Sequence, residues 1–409
     1  FFLFNSSMCK NIAIIVRRLN VRGGTQRQAL SLAQELKRHG HAVSLYAFLY
    51  SKNDCYSELL DGIPVVSLYE SHRPRYGGGL WGFFKNYFQE LKDAKLLAEK
   101  INPETDILNP HDQEAYRVAA YFKKRVKNIP SVWMMNDMPT RSFSLLRDRQ
   151  FDETKRVSVF KIVFNEFFDI FETWRFINAQ DVIAVLDERD QRWAEKSFAP
   201  KAVVVRSGID IKNFSFHERT TVLKTDIKIL STGILLPHRR FEDLIDAVAL
   251  LREKGYNASC VIVGEYSHNA RLYDTLVNRA EKAGIAEYVN FVGRVSEDDL
   301  KVYYRTRDIF VFPCHLQSWG LAVFEAMASG MPVVVSKTSG ASEILTHEKT
   351  ALLVDARAPE HIATAVAHLV DDGTLCNKLS KNGREFVEKN ISWGKYTDAM
   401  LKIFEETAQ

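Results

Sequence analysis

The chain reads as an α/β protein of two doubly wound domains, each a parallel sheet with helices on both faces. Three observations say so. Short β-branched runs recur along the whole length, six or seven in each half. Helix-length amphipathic segments, such as 26–39, 241–254 and 271–283, separate most of them. At 409 residues the chain is too long for one core and suits two. Alternation of this kind builds parallel sheets, because each strand must return over a helix before it can pair again.

In the first half the strand runs are 12–16, 43–48, 64–68, 106–108, 131–135, 182–186 and 202–205. In the second half they are 228–232, 259–263, 289–292, 309–312, 333–335 and 351–354. The boundary falls near Arg206–Asp210, giving domains 1–205 and 206–388. A last helix within 389–409 closes the second domain or crosses back to the first. Ligands of such sheets sit beyond the carboxyl ends of the strands, and two facing domains offer a cleft. Residues 140–180 break the rhythm: they carry no strand signal and are rich in Phe and Arg. Phe160, Phe164, Phe167, Phe171 and Trp174 recur there at helical spacing. A core-facing stripe is the plain reading; a groove or membrane-facing element for an apolar acceptor is the sharper one.

A net charge of +4 is small for this length and argues against a nucleic-acid partner. The basic run Lys123-Lys-Arg125 with Lys127 reads as a solvated helix face or as a contact with an anionic membrane. The five cysteines are scattered and form no CxxC, so neither a disulfide frame nor a zinc site is expected, and the location expected is the cytoplasm. No apolar run is long enough to span a bilayer, and Phe1–Phe4 is too short for a signal core.

The stretch most suggestive of chemistry is His315–Pro332, HLQSWGLAVFEAMASGMP. It runs from one strand to the next. Ser318 can cap a helix starting near Trp319 or Gly320. A helix start carries free N–H groups and partial positive charge, so it attracts an anion, and Gly320 lets a ligand approach the backbone. Leu321, Phe324 and Met327 fit a buried face. Glu325, one turn in, either accepts hydrogen bonds from a ribose diol or is a buried acid satisfied by a neighbouring helix.

That stretch resembles the E-x7-E signature of the retaining group 1 (family 4) glycosyltransferases, with Gly320, Leu321, Glu325, Ala326, Met327, Ala328, Gly330, Pro332, Val333 and Val334 in register. The resemblance extends over nearly the whole chain. Gly23-Gly24 and the segment after it resemble the family's N-terminal glycine loop and first helix. DILNPHD at 106–112 resembles its strand ending in His, and TGILLPHRRFEDLIDAV at 232–248 its basic diphosphate loop. DVIAVLDERD and VVVRSGIDIKNF resemble its interdomain segments.

The resemblance implies the GT-B fold, with an acceptor on the N-terminal domain and a nucleotide sugar on the C-terminal one. It also implies transfer to an acceptor hydroxyl of a glycan or glycolipid, without metal or other cofactor; peripheral membrane contact is an expectation from the basic run at 123–127. Glu325 matches the glutamate that holds the ribose. Gln317 stands where the family's first glutamate faces the donor sugar. The loop's usual Arg and Lys positions are Ile234 and Arg239, and Arg240 replaces a glycine. Arg239, with Arg240, is therefore the expected diphosphate clamp, since a guanidinium fork binds phosphate oxygens in pairs. His111, Arg239 and Gln317 are the expected catalytic residues. Gly23, Gly24, Arg239, Arg240, Ser318, Trp319, Gly320, Leu321 and Glu325 are the expected donor contacts. A GT-B epimerase or hydrolase, or a homologue that binds without turnover, remains open at this point.

Overall fold

A computed structural model describes residues 9–140, 158–220, 225–317 and 319–409. They form two compact units, one of residues up to Ser207 together with Trp393–Gln409, the other Gly208–Ser392. The first unit holds β1 (Asn11–Leu19), β2 (Ala42–Tyr50), β3 (Val65–Tyr69), β4 (Ile107–His111), β5 (Val132–Met135), β6 (Val182–Val185) and β7 (Lys201–Val204). Its helices are α1 (Gly24–Arg38), α2 (Gly79–Glu99), α3 (Ala115–Arg125), α4 (Val159–Glu172) and α5 (Glu188–Ser197). The second holds β8 (Ile227–Thr232), β9 (Ala258–Val263), β10 (Val289–Gly293), β11 (Ile309–Phe312), β12 (Val333–Ser336) and β13 (Leu352–Val354). Its helices are α6 (Phe241–Glu253), α7 (Ala270–Lys282), α8 (Glu297–Thr306), α9 (Leu321–Ala328), α10 (Pro359–Asp371) and α11 (Gly373–Asn390). The final helix, α12 (Trp393–Ala408), packs on α1 within the first unit.

Both sheets are parallel and share one topology. The first runs β3-β2-β1-β4-β5-β6-β7 and the second β10-β9-β8-β11-β12-β13. The strand order therefore reverses between β1 and β4, and again between β8 and β11. Those are the two places where helices leave on opposite faces and loops part to admit a ligand. The central strands are buried on both faces, which is why β1 reads as the unbroken apolar run Ile12–Val16 rather than as an alternation. Registers such as Ile15 opposite Tyr46 and Pro110 place the ends of β1, β2 and β4 side by side.

The strand expected at 106–108 runs on to His111, through Pro110. A proline in a central strand removes a ladder donor and normally argues against one. Here the bonds of β4 to β5 run Leu108 N–H to the Pro130 carbonyl, and Asp112 N–H to the Met134 carbonyl. The carbonyl between them, of Val132, receives the side-chain amide of Asn109 at 2.7 Å instead of the missing proline N–H.

The aromatic stripe of 160–174 does not face a core throughout. Phe168 is buried, and Phe164 packs edge-on against Phe83 of α2 at 5.3 Å. Phe160, Phe167 and Trp174 are exposed, at 72%, 66% and 70%, although Phe160 stacks on Phe164 at 6.1 Å. The apolar arc of the helix is broader than the part that α2 covers. The part of that region at 141–157 lies outside the described residues. The basic run at 123–127 ends α3, where cations meet the negative end of a helix, and Lys123 pairs with Asp181 at 2.7 Å. Among the described residues no helix is long and apolar enough to cross a membrane.

Candidate functional site

In the second unit the candidate residues gather at the switch point. The loop after β11 leads into α9, whose cap is Gly320, so the helix begins at Leu321. Ser318, expected to cap it, lies outside the described residues. Gly320 has φ +138°, and a Cβ there would sit 3.0 Å from the Phe312 ring, so the position demands glycine. A glycine cap has no side chain to accept from the first amides of the helix, and no acid occupies its first turn. That end is electropositive by construction. The opposite end is matched by cations. Arg219 donates to the Ser329 carbonyl at 2.7 Å, and Arg384 to the Ala328 carbonyl at 2.6 Å.

The loop after β8 lies beside this turn. The His315 N–H donates to the His238 carbonyl at 2.8 Å, and Nη1 of Arg239 reaches Sγ of Cys314 at 3.7 Å. The Arg239 Nε is buried without a hydrogen-bond partner. Its neighbour behaves differently. Arg240 takes a left-handed φ of 54°, and its guanidinium is bound to Asp243 at 2.9 and 2.6 Å and to Glu242 at 2.7 Å. Its fork is spent on the acids that open α6, whereas that of Arg239 is not. Ile234, where an arginine was the family expectation, is 46% exposed and supplies no charge.

Gln317 is half-buried; its carbonyl accepts from the Gly340 N–H at 2.8 Å, which pins the loop, and its side-chain amide makes no hydrogen bond to the described residues. Trp319 is buried and stacks on Phe324 at 4.8 Å, so it wedges the loop in place. Leu321 is partly exposed at the first helical position. Glu325 is buried, and Tyr304 of α8 donates to its Oε2 at 2.8 Å. That phenol fixes one carboxylate oxygen and the rotamer with it. Sequence alone gave no sign of Tyr304, because a tyrosine on an amphipathic helix looks like any core aromatic.

In the first unit, Gly23 caps α1 at the carboxyl end of β1, in ordinary extended backbone, and a Cβ on Gly24 would meet nothing within 4 Å. His111 ends β4, completely buried. Asn109 has its amide nitrogen on the Val132 carbonyl, so its oxygen is the atom that faces His111 Nε2 at 2.8 Å. The imidazole therefore carries its proton on Nε2, and Nδ1 is a bare acceptor, buried and unpartnered. Burial lowers its pKa to about 3, so the ring is neutral at ordinary pH. Pro110 dictates this tautomer: it removes the ladder donor, draws in the Asn109 amide and thereby orients the oxygen. Among the described residues, no group of three His, Cys, Asp or Glu side chains is placed to hold a metal ion.

Comparison with known proteins follows the same division. Residues 22–213 match the sequence profile described as Glycosyltransferase Family 4, and residues 213–386 the one described as Glycosyl transferases group 1. A GDP-mannose-dependent alpha-(1-6)-phosphatidylinositol monomannoside mannosyltransferase of Mycobacterium tuberculosis is 32% identical over 189 residues, covering 44% of this chain and 46% of that protein. An uncharacterized glycosyltransferase of Methanocaldococcus jannaschii is 25% identical over 398 residues, 93% of this chain and 94% of its own. The chain thus spans about half the length of the mycobacterial relative. Among solved structures, sucrose-phosphate synthase from Thermosynechococcus elongatus superposes with a TM-score of 0.76 at 18% identity, over 97% of this chain and 98% of that one. Anabaena HepE in complex with UDP and glucose gives 0.71 at 16%, over 97% and 99%.

Proposed function

Because the chain belongs to the group 1, family 4 glycosyltransferases of GT-B fold, we propose that it moves a sugar from a nucleoside diphosphate to an acceptor hydroxyl, with retention, in making a polysaccharide or glycolipid. The observation that carries this reading is the meeting of Arg239 with the open start of α9 at the β8/β11 switch point. A diphosphate seated there has helix amides on one side and an uncommitted guanidinium on the other, and both stabilise the charge that grows on the leaving group. Glu325, braced by Tyr304, holds the ribose hydroxyls. Gln317 holds the donor sugar through an amide that can both accept and donate. His111, expected to meet the substrate, is completely buried with its Nδ1 acceptor closed to solvent, so a substrate hydroxyl does not reach it in this arrangement. Gly24 leaves room for a ligand over the first turn of α1, whereas the space beside Gly23 is taken by the Gln26 side chain. Arg240 serves α6, not the phosphates. Protein groups meet the diphosphate's charge, and no metal is invoked.

The acceptor in this proposal is a glycolipid, met at the cytoplasmic face of a membrane. Trp81 and Phe88 of α2, with Phe160, Phe167 and Trp174, give its lipid chains an apolar surface. The mycobacterial relative, named for a phosphatidylinositol monomannoside, supports a lipid of this kind. The test is a panel of nucleotide sugars, led by GDP-mannose and UDP-glucose, read by thermal shift and by product analysis with lipid acceptors. Stabilisation by one donor and a glycoside product are expected. An epimer or free sugar as sole product would overturn the reading.

A further inference from the structure

The first unit contains a cavity of about 430 Å³ at the carboxyl ends of β1 and β2, closed by the segment after β3 and by α2. Four arginines line it: Arg17, Arg18, Arg73 and Arg75. None belongs to the donor seat proposed above. We propose that this pocket binds a phosphate ester carried by the acceptor, an inference that rests on the transferase reading and deepens it.

Arg73 is the built part of the pocket. Its side chain is 12% exposed and lies over the Phe48 ring at 4.8 Å. Its Nε donates to Asp93 at 2.6 Å, and its Nη1 to Glu114 at 2.7 Å. Asp93 is itself fixed by Tyr69 at 3.0 Å and Gln89 at 2.8 Å. Two sides of the guanidinium are thus clamped, while the third nitrogen, Nη2, is buried without a hydrogen-bond partner. A buried donor left unmade is costly, and a ligand oxygen would satisfy it.

Charge points the same way. Glu114 is shared between Arg73 and Arg17, the latter at 3.2 Å. Glu90, also on the wall, is held by Arg117 at 2.9 Å. Arg18 and Arg75 are exposed at the mouth and have no ion-pair partner among the described residues. The pocket therefore keeps an excess of positive charge after its own acids are matched. Planar forks around one cavity suit a group with several anionic oxygens, which is a phosphate. A scaffold meant only to hold the segment after β3 would need Arg73 and its two acids but neither Arg18 nor Arg75.

The acceptor's phosphate has two sources, a soluble phosphorylated compound or a phospholipid headgroup, and the experiment separates them. The full chain is titrated with sn-glycerol 3-phosphate and with a nucleoside diphosphate, and floated with phosphatidylcholine vesicles with and without phosphatidylglycerol. Arg18→Gln/Arg75→Gln is the test variant, because neither residue forms an ion pair with the described residues. Lys124→Gln/Lys127→Gln removes equal charge elsewhere, and Arg239→Ala reports on the donor seat. Glycerol phosphate affinity should fall about tenfold or more in the Arg18/Arg75 variant, the loss expected for charge-assisted bonds, and stay within about twofold in the other two. Nucleoside diphosphate affinity should fall only with Arg239→Ala. Vesicle binding that needs phosphatidylglycerol and Arg18/Arg75 identifies a headgroup; binding of the soluble ester without it identifies a soluble acceptor.

The proposal is overturned if glycerol phosphate fails to bind. It is overturned equally if the lysine variant loses as much affinity, or if only Arg239→Ala loses it. Phosphate binding of the expected pattern with no nucleotide binding would leave the pocket standing and remove the transferase reading.

Discussion

At the scale of single residues, two adjacent arginines have different surroundings. Arg239 has a buried Nε without a partner, whereas Arg240 is saturated by Asp243 and Glu242. Arg239→Ala should weaken nucleotide binding by about tenfold or more, as loss of bonds to a charged group does, with little change in melting temperature. Arg240→Ala should cost about 1 kcal/mol of stability and leave nucleotide affinity within about twofold. Calorimetric titration and thermal melting read the pair. On the proposed role of Gln317 as a hydrogen-bonding partner of the donor sugar, Gln317→Ala should lower turnover clearly more than Gln317→Glu, by about tenfold in a steady-state assay. Equal, small effects would mean that Gln317 does not touch the sugar. His111 carries a pH signature. Its folded pKa is about 3 against 6.5 for the free ring, so between those values the unfolded chain binds the extra proton. Its contribution is complete above pH 6.5 and drains as pH falls towards 3, at up to about 1.4 kcal/mol per pH unit. Urea denaturation of wild type and His111→Gln should differ by that slope. Most of these positions were legible in the sequence, since the order of Gly320, Leu321, Glu325 and the HRR loop is itself the signal. The roles of Tyr304 and Asn109 were not, because each acts through a partner that only folding brings near.

At the scale of elements, α9 is an eight-residue helix with the proposed diphosphate seat at one end and its anchorage at the other. Arg219 spans the His217, Ser329, Tyr304, Arg305 and Arg307 carbonyls, so it ties the end of α9 to the end of α8. Those two helices carry Glu325 and Tyr304. No sequence pattern announces such a residue, since its partners are carbonyls, which every residue has. The strands were legible almost to their ends because parallel, doubly covered strands are apolar runs. The exception was β4, hidden by Pro110 and rescued by Asn109. The α4 stripe misled in part. Helical spacing marks an apolar face, but it does not say whether anything covers it. Phe168→Ala, within the contact with α2, should cost about 3–5 kcal/mol in chemical denaturation. Phe167→Ser, on the uncovered side, should cost less than about 1 kcal/mol and reduce flotation with acceptor-lipid vesicles.

At the scale of the whole molecule, one topology is used twice, and in each sheet the candidate groups lie where the strand order reverses. His111 ends β4 and the Gly23-Gly24 loop follows β1; the turn into α9 and the Arg239 loop follow β11 and β8. This follows from how parallel sheets are wound, and it is why alternation of runs and helices in the sequence already pointed to the loops at the two switch points. The basic pocket of Arg17, Arg18, Arg73 and Arg75 was not legible, because its four arginines come from two separate segments and read singly as surface charge. The central claim is that Arg239 and the amides opening α9 seat a diphosphate without metal, with Glu325 on the ribose. The most direct measurement is a crystal structure of the chain with a bound nucleoside diphosphate, grown in chelator. Phosphate oxygens are expected on the Leu321 and Ala322 amides and the Arg239 guanidinium, and both ribose hydroxyls on Glu325. A nucleotide bound elsewhere, or one seated there with Glu325 still turned wholly to Tyr304, would contradict it.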